Sequence, residues 1–171
     1  MAEPDWGITP LEAADCDELG RVHIHVWREA YAGLMPADYL AGLSQERSAE
    51  NWRRGVELPD GAEIEALTLV ARHRGRIVGF ASAGPSRDDD APTEWELYAL
   101  NLVSEVHGTG LADHLLSRVL GDRDASLWVA EGNARARAFY ARRGFTDEGG
   151  RSAHDPTSAP EMRMVRRRTP A

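Results

Sequence analysis

A turn with two glycines, placed between an apolar run and an amphipathic repeat, constrains this chain more than any other feature. The apolar run at 97–103 is long enough for a strand, and Leu111 and Leu115 then recur at helical spacing. Between them lie Gly108 and Gly110, which lack Cβ atoms and therefore allow positive φ and close approach of a ligand. A strand, a glycine turn and a helix start leave backbone N–H groups without intrahelical acceptors at the positive end of the helix dipole. The pattern indicates a seat for a phosphate or pyrophosphate group.

The turn differs from two common phosphate-binding loops. No Gly-Lys-Ser/Thr follows it, so it is not a P-loop. Asp113 occupies the place of the third glycine in the dinucleotide-binding fingerprint. Taken alone, the turn is equally compatible with a tight connection that binds nothing. The phosphate interpretation therefore depends on a second segment of the chain.

A second strand-to-helix segment spans residues 125–145. A short strand at 127–130 precedes Asn133, a favoured helix N-cap residue, and Gly144 stands where a C-cap is expected. The two segments together resemble the acetyl-CoA-binding half of the GNAT family of N-acetyltransferases, over about residues 65–168 and more loosely elsewhere. In that family the turn reads Gln/Arg-x-x-Gly-x-Gly/Ala, and here it reads His-Gly-Thr-Gly-Leu-Ala from position 107. The family's second motif, Asn-x-x-Ala-x-x-Phe-Tyr-x-x-x-Gly-Phe, is matched by Asn133, Ala136, Phe139, Tyr140, Gly144 and Phe145.

The resemblance implies an α/β fold, the GNAT fold. Its central, mixed, mostly antiparallel and twisted β-sheet is splayed at the cofactor strand and flanked by helices. We expect a single acetyltransferase domain over 1–171, with acceptor-side helices in about 15–55 and the acetyl-CoA-binding core in about 65–168. A chain of 171 residues is long enough to bury one such core.

Local patterns predict the remaining elements. Strands are expected at 7–14, 65–73, 76–86, 93–103 and 161–165, the second and third joined in a hairpin across 74–75. Helices are expected from residue 15, over 36–43 and from Ser44 to about 54. We interpret 59–61, 87–92 and 147–160 mainly as loops. The acidic loop 87–92 is expected to be solvated, because its contiguous carboxylates lack the alternate spacing of a calcium-binding loop.

The resemblance also implies where acetyl-CoA, the donor substrate, is bound. Pantetheine is expected to pair with the backbone at the end of the central strand, as an added strand would, and the pyrophosphate to lie on the glycine turn. A histidine at the turn's first position is mostly neutral near pH 7 and contributes less charge than the family's usual arginine. The implied cofactor-binding residues are Leu100, Asn101, Leu102, His107, Gly108, Thr109, Gly110, Leu111, Ala112, Asp113, Asn133 and Tyr140.

Direct attack of an amine on a thioester needs an acid for the leaving thiolate and a base for the amine's proton. The resemblance assigns the acid to Tyr140, which lies two helical turns after Asn133 and so projects to the same side. The predicted base is Glu96, on the strand where family members often carry a carboxylate. By the two-residue period it shares a face with Tyr98 and Leu100. A surface role for Glu96 remains open, and Glu131 and His154 are the alternatives.

The acceptor pocket is expected between the first helices and the sheet. Trp27, Tyr31 and Tyr39 either line it or pack in the core, and Glu94 would favour a cationic small-molecule amine. Two alternatives remain open. One is an enzyme that acetylates a protein N-terminus or lysine, and the other is a non-catalytic acyl-CoA-binding sensor.

Charge and composition limit the classes of partner that the chain can have. A net charge of −8 argues against nucleic acid, and all 20 basic residues are arginine. No apolar run is long enough to span a membrane. The lone Cys16 fits a reducing cytoplasm. No metal is expected, because His23 and His25 would face different sides of a helix. A homodimer is common in the family the chain resembles, which leaves the oligomeric state open here.

Overall fold

The computed structural model describes residues 6–58 and 66–168. The helices are α1 (Cys16–Ala30), α2 (Ala37–Ala41), α3 (Gln45–Val56), α4 (Leu111–Leu120) and α5 (Ala134–Arg142). The strands are β1 (Trp6–Pro10), β2 (Leu67–His73), β3 (Arg76–Pro85), β4 (Trp95–Leu102), β5 (Ala125–Ala130), β6 (Thr146–His154) and β7 (Ala159–Arg166). The hairpin predicted across 74–75 is confirmed, as is the capping of α3 by Ser44, whose hydroxyl accepts the Arg47 N–H. The loop predicted at 59–61 lies outside the described residues.

The strands form one seven-stranded sheet in the order β1-β2-β3-β4-β5-β7-β6. β4 and β5 run parallel, and the other neighbouring pairs are antiparallel. The parallel pair joins only from Trp95 opposite Ala125 to Leu97 opposite Leu127. Beyond this point β4 continues to Leu102 and β5 to Ala130 without pairing to each other. The mixed, mostly antiparallel α/β fold is therefore confirmed, and a cleft opens where the parallel strands separate.

Helices cover both faces of the sheet. On one face α4 packs its leucines into the main core, where Leu111, Leu115 and Leu120 are fully buried. Each such side chain contributes about 1.5–3 kcal/mol through removal of apolar surface from water. On the other face α1 and α3 lie against Phe80, and they approach so closely that a Cβ on Gly20 would lie 2.7 Å from a backbone oxygen of α3. The sheet is thus packed between α4 on one face and α1 with α3 on the other.

The final hairpin differs from the prediction. Residues 147–160, expected mainly as loop, contain most of β6, which pairs with β7 at the edge of the sheet. Most β6 side chains are exposed, so the strand lacks the apolar alternation by which strands are recognised in a sequence. Gly149 and Gly150 lie where the register shifts, and a Cβ on Gly150 would lie 2.9 Å from Arg163 Nε. The glycines that suggested a loop instead accommodate a bulge beside a buried guanidinium.

The first strand is also shorter than the predicted 7–14. It ends at Pro10, and residues 13–15 form a 3-10 turn instead. The turn is closed by the Glu12 N–H, which donates to the Asp15 carboxylate at 3.1 Å. A local side-chain acceptor therefore competes successfully with strand pairing.

The acidic loop 87–92 is largely exposed, as expected of a solvated loop, and two of its carboxylates also bond to side chains of the sheet. Asp88 accepts the indole N–H of Trp128 at 2.7 Å, and Asp90 accepts two bonds from Arg163 at 3.0 and 3.2 Å. Arg163 is only 4% exposed and also pairs with Glu148. A buried guanidinium needs compensating negative charge, and the loop supplies part of it. Among the helices of the described ranges, none is long and apolar enough to cross a membrane.

Candidate active site

The glycine turn lies between the end of β4 and the start of α4. Gly108 and Gly110 have φ values of 75° and 87°, and Gly110 is the N-cap of α4. A Cβ built at either position would meet no atom within 4 Å. Glycine is therefore needed here for its backbone conformation, which strains other residues.

The backbone N–H groups of this turn are largely unused. Those of Leu111 and Asp113 are engaged locally, by Thr109 Oγ1 at 3.4 Å and by the Gly110 carbonyl at 3.1 Å. Within the described part of the chain, no acceptor is bonded to the N–H groups of Gly108, Thr109, Gly110 and Ala112. These four donors lie at the positive end of α4, which makes the turn a seat for an anion.

His107 has a structural contact at this turn. Its Nε2–H donates to the backbone carbonyl of Leu102 at 3.1 Å, because a carbonyl can only accept. The ring therefore holds the turn against the last residue of β4. Its contact with a bound phosphate remains a prediction.

An arginine is held beside the first turn of α4. Asp113 forms an ion pair with Arg143, at the C-terminal end of α5. The Arg143 guanidinium also lies 5.3 Å from the Phe139 ring centroid. The hydrogen bond to Asp113 raises the pKa of Arg143, so the cation persists. The pair joins the two helices on which the two sequence motifs lie.

Asn133 caps α5 as predicted. Its Oδ1 accepts the Ala136 N–H at 3.1 Å, which leaves the amide NH₂ group free of this role. The helix ends at Arg142, and Gly144 follows with a φ of 84°. The predicted C-terminal glycine is thus confirmed one residue beyond the cap.

Tyr140 is buried at 8% exposure, between Phe139 and Phe145, whose ring centroids lie 5.4 and 5.7 Å away. In the ranges that the structure describes, no group hydrogen-bonds to its hydroxyl. Burial raises the pKa of the phenol well above its ordinary value, and the nearby Tyr31 raises it further. The phenol therefore stays protonated near neutral pH, so it carries the proton that a general acid would give to a departing thiolate.

Glu96 is buried at the point where β4 and β5 separate. It is 3% exposed and lies opposite Ser126 of β5. Arg87 donates from Nη2 to one carboxylate oxygen at 2.6 Å, and from Nε and its backbone N–H to the other at 3.2 and 3.0 Å. Both oxygens are therefore already engaged, and the hydrogen bond raises the pKa of Arg87.

A β-bulge in β4 changes the face predicted for Leu100. Consecutive residues of β3 lie opposite Leu97 and Ala99, so Tyr98 is an extra residue on the β4 side. Such a bulge interrupts the two-residue alternation. Leu100 packs with Leu97 in the core beneath α4, whereas Ala99 packs on the α1 side. The prediction that Glu96, Tyr98 and Leu100 share one face is therefore wrong for Leu100.

Two of the other predicted acidic residues lie at the ends of the cleft strands β4 and β5. Glu94 precedes β4 and is exposed. Glu131 follows β5 and pairs with Arg151 at 3.0 Å. Nothing in these contacts tests a role in binding or proton transfer, so those roles remain predictions.

Aromatic side chains from the first two helices meet the β6–β7 turn. The rings of Trp27 and Tyr31 lie 4.7 Å apart, and His154 of β6 lies 5.7 Å from Trp27 and 5.8 Å from Tyr39. The three aromatic residues are half-buried over Met35, Leu40 and Ala159. The fold thus brings together Trp27 and Tyr31, predicted for the acceptor pocket, with Tyr39 and the alternative base His154.

The sequence patterns missed Glu161, which lies at the same end of the sheet. Glu161 is half-buried on β7 opposite Ala130 of β5, and burial raises its pKa while His154 lowers it. Glu161 also raises the pKa of Tyr31, after the larger effect of burial. In the sequence, Glu161 looked like the solvent-facing residue of an alternating strand.

In residues 6–58 and 66–168, no cluster of three or more His, Cys, Asp or Glu side chains is arranged to hold a metal ion.

Comparisons with known proteins agree with this geometry. The family model described as the acetyltransferase (GNAT) family matches residues 25–145. An uncharacterized N-acetyltransferase of Mycobacterium tuberculosis is 41% identical over 152 residues, covering 81% of this chain and 87% of that protein.

Solved structures share the fold. The PaiA N-acetyltransferase of Thermoplasma acidophilum, in complex with coenzyme A, has a TM-score of 0.72 and 20% identity, over 96% of this chain and 100% of that one. An aminoglycoside 6′-acetyltransferase of type Ii has a TM-score of 0.66 and 18% identity, over 96% of this chain and 99% of that one. At these identities the likeness shows the fold alone.

Proposed function

Because the chain belongs to the acetyltransferase (GNAT) family, and is therefore an acyltransferase, we propose that it transfers an acetyl group from acetyl-CoA to a primary amine of a small molecule. One observation carries the proposal. Four unbonded backbone N–H groups, those of Gly108, Thr109, Gly110 and Ala112, lie at the turn that follows β4, where β4 and β5 have already separated. A diphosphate on these donors would direct the rest of the donor substrate into the cleft between the strands.

Backbone groups of the glycine turn and of β4 make most of the proposed contacts with acetyl-CoA. The turn amides and the dipole of α4 hold the pyrophosphate of acetyl-CoA, and Arg143 adds a positive charge near the first turn of α4. The end of β4, at Leu100, Asn101 and Leu102, has no strand partner on the β5 side and pairs with the pantetheine amides. His107 and Asn133 border this path. The coenzyme A complex of PaiA, a protein of the same fold, supports acyl-CoA as the ligand.

Catalysis requires alignment and two proton transfers. The amine nitrogen attacks the thioester carbonyl carbon, the C–S bond breaks, and the coenzyme A thiolate takes the phenolic proton of Tyr140. The resulting phenolate recovers a proton from solvent, and the amine loses one to a base. Alignment of bound reactants lowers the barrier most, and each proton transfer contributes about 10²–10⁴-fold.

The sequence nominates Glu96 as the base. Its burial one residue before β4 and β5 separate supports a place near the reaction, while both of its carboxylate oxygens are already bonded to Arg87. Glu94, exposed just before β4, is proposed to attract a cationic acceptor electrostatically.

A small acceptor is favoured over a peptide by the acceptor end of the cleft. Trp27, Tyr31 and Tyr39 are half-buried there in mutual or shared ring contact, which suits a compact amine better than an extended chain. The single cysteine supports a cytoplasmic setting.

The test is release of free thiol by the full chain from acetyl-CoA, with a panel of small primary amines and of peptides. We expect thiol release that depends on a small amine, with the acetylated amine identified by mass. Release with peptides only would replace the acceptor class by protein amines. Coenzyme A binding without release for any acceptor would replace the enzyme by an acyl-CoA sensor.

A further inference from the structure

The carboxylates bonded to Arg87 and Arg163, in and beside the sheet, are neutralised by arginine. Glu96 is bound by Arg87, and Asp90 and Glu148 are bound by Arg163. Glu161 lies two residues before Arg163 and so on the same face of β7. Yet in residues 6–58 and 66–168 its carboxylate has no ion pair or hydrogen bond. Glu161 is therefore the exception, since its charge is not compensated in this way.

Leaving a half-buried carboxylate uncompensated is unfavourable. Its strand neighbours offer no charge, because the residues opposite Glu161 are Ala130 of β5 and Ser152 of β6. The titratable groups that interact with it electrostatically are Tyr31, at the end of α1, and His154 of β6. None of these is a permanent cation. The surroundings suit a cation that arrives with a ligand.

The same surroundings supply aromatic faces. Trp27 and Tyr31 lie 4.7 Å apart, and His154 lies 5.7 Å from Trp27 and 5.8 Å from Tyr39. The three aromatic residues pack against a buried cluster that includes Ala159 of β7, two residues before Glu161. Aromatic rings attract ammonium groups through their quadrupoles, by about 0.5–2 kcal/mol each. A carboxylate beside such rings is the usual chemistry for binding an alkylammonium group.

Glu161 is also connected to the proposed acid. Tyr31 interacts electrostatically with both Glu161 and Tyr140, so it is near the carboxylate and near the buried phenol. The α1–α2 connection is fixed there by a tight contact, in which a Cβ on Gly132 would lie 2.5 Å from a Leu34 methyl group. An amine held at Glu161 would therefore lie on the Tyr31 side of Tyr140.

We propose that Glu161 receives the acceptor amine: it binds the ammonium group beside the aromatic rings and takes its proton before the amine attacks the thioester. The N–H bond of the ammonium breaks, the proton passes to a carboxylate oxygen of Glu161, and the freed nitrogen lone pair attacks the acetyl carbon. Glu161 then returns this proton to solvent, and the nitrogen of the tetrahedral intermediate, which still carries one surplus proton, loses it to solvent as the amide forms. The substrate class is a primary amine that is protonated in solution and carries apolar carbon next to the nitrogen. This inference rests on the proposed function and specifies its acceptor and base.

The protonation behaviour of Glu161 agrees with this role. Burial raises the pKa of its carboxyl above the ordinary value, which makes it a better proton acceptor than a solvated glutamate. By contrast, both oxygens of Glu96 are held by a permanent cation. The two carboxylates thus have different chemistry within one cleft.

The experiment compares Glu161→Gln with the wild-type chain, using acetyl-CoA with phenethylamine and with 1,4-diaminobutane over pH 6.5–10. At pH 7 we expect kcat/KM to fall about 100-fold in Glu161→Gln, the size of a general-base contribution. The deficit should shrink towards pH 10, because about 30% of an alkylamine with a pKa of about 10.4 is then neutral, against about 0.04% at pH 7. Coenzyme A affinity and the thermal midpoint report whether the variant is folded. Asp147→Asn, which removes an exposed carboxylate from the same hairpin, is the matched control and keeps wild-type kcat/KM.

Two results would overturn the inference. One is a kcat/KM for Glu161→Gln within about threefold of wild type at every pH. The other is a deficit that is equal at pH 7 and pH 10, which would mean that Glu161 acts on structure alone. In both cases the wild-type chain still turns over and the proposed function stands. Absence of thiol release by the wild type with every amine would instead overturn the proposed function.

Discussion

Arg87 donates hydrogen bonds to both carboxylate oxygens of Glu96, at 2.6 Å and 3.2 Å, and so ties the β3–β4 loop to the strand that borders the cleft. The carboxylate is buried, while the Arg87 side chain keeps 62% exposure. The pair therefore positions the loop as well as neutralising a buried charge.

We predict that Glu96→Gln lowers the free energy of unfolding by about 1–3 kcal/mol. The neutral amide offers a single oxygen acceptor where two are used, and the exposure of Arg87 keeps the loss below that of a fully buried pair. Urea denaturation measures the change. The control is Glu94→Gln, whose exposed side chain should shift stability by less than about 0.5 kcal/mol. A kcat/KM deficit for Glu96→Gln that disappears at high pH would assign the base to Glu96 instead of Glu161.

We predict that Tyr140→Phe lowers kcat about 100-fold while leaving coenzyme A binding and stability nearly unchanged. The ring still packs against Phe139 and Phe145, and the lost hydroxyl has no hydrogen bond in the described structure. Burial raises the phenol's pKa, so kcat in the wild type should show no loss of acid function below about pH 10. Pre-steady-state thiol release separates the chemical step from product release. An unchanged kcat in the variant would remove Tyr140 from the mechanism.

We predict that Gly110→Ala weakens coenzyme A binding at least tenfold and lowers stability by about 1–2 kcal/mol. Alanine is strained at a φ of 87°, and relaxing that strain would turn the free N–H groups of the turn away from the phosphate. Isothermal titration with coenzyme A measures the affinity. Gly7→Ala is the matched control, since Gly7 has open space and no positive φ. Equal affinities for the two variants would contradict the role of the turn.

The parts of the site that were predictable from the sequence are those with local chemistry. Gly108 and Gly110 predict positive φ, and Asn133 predicts a helix N-cap, because each property is set by the residue and its immediate neighbours. The α/β fold followed from the resemblance carried by these motifs. Strand β6 was missed because an exposed edge strand carries no apolar alternation.

Contacts between distant segments were not predictable. The extra residue at Tyr98 moved Leu100 to the other face, and a bulge depends on pairing with β3. The partners of Asp90 and Glu96 became known only when the loop was placed over the sheet. Glu161 gained its importance from a lack of partners, which is a property of the fold and not of any sequence pattern.

The last prediction concerns acid stability and depends on His23, in α1. Its Nδ1 accepts the indole N–H of Trp52 at 3.3 Å and lies 2.9 Å from the Ser48 hydroxyl, with the ring edge against Phe80. Burial lowers the pKa of His23 to about 4 from an ordinary 6.5. Between these values the unfolded chain binds a proton that the folded chain does not, so stability is complete above pH 6.5 and decreases as the pH falls towards 4.

We therefore expect His23 to account for a loss of roughly 3 kcal/mol between pH 6.5 and 4, at up to about 1.4 kcal/mol per pH unit. Urea denaturation across this range measures it as a difference from His23→Gln, which cannot take up the proton and should lack this part of the pH dependence. His25→Gln removes an exposed histidine from the same helix and should retain it. If the wild type and His23→Gln lost stability in parallel between pH 6.5 and 4, the acid sensitivity would have to arise from other groups. A neutral buried His23 would then not be what stabilises the contact between α1 and α3.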